Sequence, residues 1–91
     1  MLTLDSVPKI NPNVTGRLIE DEAVLVLPER GKVEVLNQVG AFIWEHANGT
    51  ATILEIIQNV CDEFDVNYAD AKKDTLEFIG DLIERGIVSV S

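Results

Sequence analysis

Apolar residues along this chain change their spacing near Asn37, dividing it into a strand-forming half and a helix-forming half. Val14 to Glu20 is β-prone, Asp21-Glu22 is a polar break, and Ala23-Val24-Leu25-Val26-Leu27 is an apolar run closed by Pro28. Glu29-Arg30-Gly31-Lys32 reads as a glycine-containing turn, after which Val33-Glu34-Val35-Leu36 alternates again. The pattern predicts three short strands joined by tight loops, an antiparallel meander with its first and third strands at the edges.

Behind Asn37, a favoured N-cap residue, Val39, Phe42, Ile43 and Ala47 recur at helical spacing until Asn48-Gly49. Thr52 and Glu55 have the spacing of a capping box, opening a second helix with Ile53, Ile56, Ile57, Val60 and Phe64 on one stripe. Asn67 starts a third helix, with Ala71, Thr75, Phe78, Ile79, Leu82 and Ile83 directed inward and Gly86 beyond its end. Residues 1–13 contain Pro8 and Pro12 without periodicity and read as an extended N-terminal arm. The alternating tail Ile87-Val88-Ser89-Val90 has the pattern of a short docking strand. The fold class is therefore α+β, with one domain over residues 14–91 in which the meander must lie on three helices, since an isolated meander is marginal.

Composition narrows the function. Seven Lys+Arg against sixteen Asp+Glu give a net charge of −9, with the acids concentrated in the helical half. Such a surface repels the phosphates of nucleic acid and anionic membranes. A winged-helix DNA regulator would need a basic recognition helix, yet Ile53 to Phe64 contains no Lys or Arg. No apolar run reaches the ~20 residues of a membrane span. The N-terminus has no signal-peptide pattern, so the expected location is the cytoplasm. One Cys and one His give neither a disulfide nor a metal set, and no nucleophile–base motif or phosphate loop is present. These residues predict neither an enzyme nor a cofactor.

The segment Leu36-Asn37, Ile43-Trp44-Glu45 and Asn48-Gly49 resembles the Leu-Asn…Ile-Trp…(Asp/Asn)-Gly signature of the PqqD family. Glu55-Ile56, Phe64 and the Phe78…Leu82-Ile83…Gly86-Ile87-Val88 ending extend the likeness, with a looser fit at Pro8, Arg17 and Val24-Leu25. Val35 stands where members often carry an aromatic residue, so the resemblance names the family and not its branch. The resemblance implies a three-stranded sheet followed by a winged helix-turn-helix. It also implies a non-catalytic module that binds the leader of a ribosomally made precursor peptide. That module presents the leader to a modifying enzyme, often of the radical S-adenosylmethionine type, as in pyrroloquinoline quinone synthesis. With no enzyme fused, the chain is expected to act in trans. A structural subunit without a peptide substrate is the alternative, and self-association through the strand edges stays open.

Two segments are candidates for the peptide site. The third strand, Lys32, Val33, Glu34 and Val35, offers an edge that an incoming peptide could extend. Lys32 and Glu34 would equally serve as charges guarding that edge. In the third helix Leu76 lies off the inward stripe, beside Lys72 and Ile79, so the apolar face is wider than one contact needs, and the Lys72/Leu76/Ile79/Ile83 side suits a groove wall, additional core or a dimer contact. Asp74, Glu77, Asp81 and Glu84 form an acidic face, either solvated or a dock for a basic partner. Trp44 lies off the first-helix stripe, which suggests helix–helix packing or a partner contact.

Overall fold

The computed structural model describes residues 2–27 and 31–90. Its elements are β1 (Pro8–Ile10), β2 (Thr15–Ile19), β3 (Glu22–Leu27), β4 (Lys32–Leu36), α1 (Gln38–His46), α2 (Ile53–Phe64), α3 (Tyr68–Glu84) and β5 (Val88–Val90). The expected meander is β2-β3-β4, antiparallel, with β3 in the centre. The turn expected around Glu29 and Arg30 lies outside the described residues.

Strand alternation sorts the meander into two faces. Ala23, Leu25 and Leu27 of β3 are buried under the helices, and Leu36 joins them from β4. Val24 and Val26 point the other way and pair with Val35 and Val33 of β4. The covering layer is α1, whose Ala41 and Ile43 are buried beside Ile53, Ile56 and Ile57 of α2 and Ala71, Ile79 and Leu82 of α3. Trp44 packs on the sheet. A Cβ at Gly16 of β2 would stand 2.1 Å from its ring atom Cζ2, so only glycine admits the indole there.

Side-chain caps define where the helices begin. Asn37 Oδ1 accepts from the Gly40 N–H at 2.9 Å, and Asn67 Oδ1 accepts from the Asp70 N–H at 2.9 Å. Thr52 and Glu55 form the reciprocal box: the Thr52 N–H donates to Glu55 Oε1, and the Glu55 N–H donates to Thr52 Oγ1. α2 stops at Asp65, whose φ of 53° turns the chain out of the helix.

The segment that reads as an extended arm is bonded into the fold. β1 pairs antiparallel with β5, Pro8 opposite Val90 and Ile10 opposite Val88, forming a second sheet of two strands. The alternating tail thus docks as a strand, and its partner is the N-terminus. Ser6 and Leu4 carbonyls accept from the Ile53 and Leu54 N–H groups at 2.9 and 3.1 Å. Those amides head α2 and have no acceptor inside it, so the arm completes the helix start. The Pro8 side chain is fully buried.

Candidate peptide-binding groove

β4 is an edge strand within the described residues: it pairs with β3 on one side and with no strand on the other. Half of its backbone N–H and C=O groups therefore face outward, the arrangement that permits another strand to be added. Its register places Lys32, Glu34 and Leu36 on the helix side, opposite Leu27, Leu25 and Ala23. Val33 and Val35 stand on the outer face, 61% and 60% exposed, although both are apolar.

α3 meets β4 through one face. Arg85, just beyond the helix end, reaches Glu34 Oε1 at 2.6 Å and Asp81 Oδ2 at 3.2 Å. Counting back, Asp81, Phe78 and Asp74 fall on the same face, because residues three, four and seven apart align on a helix. Phe78 packs against the first turn of α1, where a Cβ on Gly40 would lie 3.0 Å from its ring. Between these elements lies an open hollow of about 400 Å³, lined by Val35, Leu36, Asn37, Val39, Gly40, Ile43, Asp74 and Phe78. It is large enough for one or two peptide side chains. Its floor is apolar, and one carboxylate, that of Asp74, stands among its walls.

The structure brings Val35 together with Phe78 and Asp74 at the hollow and ties Glu34 to Arg85, while Lys32 and Val33 lie on the same strand outside the hollow's lining, and none of the α3 residues expected to share the site lines it. Ile79 has no exposed surface and belongs to the core. At ~100° per residue, Lys72, Leu76 and Ile83 lie on the far flank of the buried Ala71/Thr75/Ile79/Leu82 stripe, away from the Phe78 face. Leu76 and Ile83 are partly buried against the core there, and Lys72 is exposed. The reason is geometric: an apolar stripe has two flanks, and spacing alone does not say which one abuts the sheet. Phe78 and Asp74 escape a sequence reading because one scores as core and the other as solvated acid. The only signal was the spacing Asp74, Phe78, Asp81, Arg85, one helical face carrying a single aromatic among charges.

Among the described residues, no three or more His, Cys, Asp or Glu side chains converge to hold a metal ion, and no helix is long and apolar enough to cross a membrane.

Three strands followed by three helices, with an open edge beside a helix-walled hollow, define a small α+β module of the winged-helix kind. The family model for coenzyme PQQ synthesis protein D (PqqD) matches residues 22–88, and the chain belongs to the PqqD family. It is 30% identical over 89 residues to the "PqqA binding protein" of Xanthomonas oryzae pv. oryzae strain KACC10331, covering 96% of this chain and 95% of that one. Strain MAFF 311018 has a relative of the same name, identity and coverage. Among solved structures, TbiB1 in complex with the TbiA(beta) leader peptide superposes with a TM-score of 0.82 at 27% identity, over 89% of this chain and 94% of that one. The PqqD truncation of Methylobacterium extorquens PqqCD has the same fold, with a TM-score of 0.79 at 21% identity over 98% and 95% of the two chains.

Proposed function

We propose that this chain is a non-catalytic recognition element that binds the leader segment of a ribosomally made precursor peptide. It holds the leader for a modifying enzyme, of the radical S-adenosylmethionine class, in the cytoplasm. The leader adds as a strand along Lys32–Leu36 and seats an apolar side chain in the hollow beside Phe78. The observation that carries this reading is the open edge of β4 lying against that hollow. Support comes from relatives named for binding PqqA and from a solved relative that holds a leader peptide.

Energetics explain why both features are needed. Ordering each peptide residue costs about 1–2 kcal/mol of backbone entropy. A hydrogen bond returns only about 0.5–1.5 kcal/mol net. Strand pairing alone therefore comes close to zero. An apolar anchor contributes about 1.5–3 kcal/mol when fully buried, and the open Phe78 hollow offers part of that burial. Affinity then comes from the hollow, and register and direction come from the β4 edge.

The test is a titration of fluorescently labelled synthetic leader peptides, PqqA and the TbiA(beta) leader among them, followed by anisotropy. Saturable one-to-one binding that a scrambled leader does not show is expected. Equal, weak response to leader and scrambled peptide would sink the proposal.

A further inference from the structure

We propose that Asp74 makes the β4 groove selective for peptides carrying lysine or arginine within two residues of the apolar side chain seated on Phe78. This inference rests on the peptide-binding reading and specifies the class of segment bound.

Two acids of α3 share the face that meets β4, and they differ in how they are compensated. Asp81 is held by Arg85 at 3.2 Å, and the same guanidinium takes Glu34 at 2.6 Å. Asp74, one turn before Phe78, lines the hollow and has no ion-pair partner among the described residues. Lys72 and Lys73 precede it directly, but neighbours one or two apart on a helix do not face each other. The apolar end of the groove thus carries one uncompensated negative charge.

The other walls sharpen its effect. Leu36, Val39, Ile43 and Phe78 line the same hollow with apolar side chains, so the carboxylate stands at the rim of an apolar surface. A peptide lying in the groove displaces water from one side of Asp74. A neutral peptide leaves the carboxylate less solvated with nothing in exchange, and an acidic one adds repulsion between like charges. A cationic residue supplies the lost partner. Its aliphatic stem can lie on the Phe78 ring while its head reaches the carboxylate one turn away. The net charge of −9 attracts the same class of peptide from a distance.

The experiment selects binders from a display library of random dodecapeptides on the full chain at low salt. Amide exchange then locates each binder, and the basic ones are compared on the wild type, Asp74→Asn and Asp74→Lys. Asp74 is exposed on the helix surface, so both variants keep the fold, which circular dichroism checks. Binders that protect β4 amides are expected to be enriched in Lys or Arg beside an apolar residue. Asp74→Asn should weaken them by about two- to five-fold, the range of a solvent-accessible ion pair. Asp74→Lys should weaken them further and favour versions with Lys or Arg changed to Glu. Binders that protect β4 without basic enrichment, or with affinity unchanged in Asp74→Asn, overturn the selectivity and leave the groove standing. A selection in which no binder protects β4 overturns the peptide-binding reading itself.

Discussion

At the scale of single residues, close approaches do more than the charges. Trp44 seats its ring where Gly16 has no side chain, joining α1 to the first strand of the meander. Gly16→Ala should cost about 1–3 kcal/mol, the usual penalty for overpacking, because the indole must move. Urea denaturation checks this, and an unchanged midpoint would contradict the contact. Thr75 is the opposite case. Its side chain is fully buried, and its hydroxyl has no hydrogen-bond partner among the described residues. Thr75→Val replaces an unsatisfied polar atom with a methyl group of similar shape and should stabilise the protein by about 1 kcal/mol. A drop in stability would mean that the hydroxyl is satisfied after all. The Glu34–Arg85 pair, by contrast, has side chains 30% and 40% exposed, which limits its worth to about 1 kcal/mol or less. Its consequence is positional, since it holds the end of α3 against the middle of β4.

At the scale of elements, the start of α2 has two independent supports. The Thr52–Glu55 box satisfies one set of amides, and the Ser6 and Leu4 carbonyls satisfy the next. Thr52→Ala should therefore cost about 1 kcal/mol without melting the helix. Thermal unfolding with far-ultraviolet dichroism measures both quantities, and a loss of native helicity would contradict the second support. The same element shows what a sequence makes legible. Asn37, Thr52 with Glu55, and Asn67 announce three helix starts because capping is a local side-chain signal. The β1–β5 sheet was not legible as a pair. The tail alternates and reads as a strand, but β1 has three residues and no readable period, and their pairing spans almost the whole chain. The α3 face of the groove was hidden for a related reason. Phe78 and Leu76 sit on opposite flanks of one apolar stripe, and only the packed sheet distinguishes them. The β4 edge could be read as an edge, since a third strand followed directly by a helix has no further strand to cover it.

At the scale of the whole molecule, the N-terminal segment is a structural part and not an appendage. Deleting residues 2–10 would remove β1, uncover Val88, strip acceptors from α2 and discard the buried Pro8. The loss should exceed about 3 kcal/mol, the sum of two small apolar burials, lowering the melting temperature by more than about 10 °C. A deletion variant that melts like the full chain would show the arm to be dispensable. The molecule as a whole is a scaffold that holds the β4 edge open beside an apolar hollow. The central claim is that a leader peptide binds there as an added strand. Amide hydrogen exchange of the full chain, with and without saturating precursor leader, tests it most directly. Slowed exchange concentrated at Lys32–Leu36, with the α2 amides unchanged, is the predicted result. Binding that leaves the β4 amides as fast as in the free protein would contradict it.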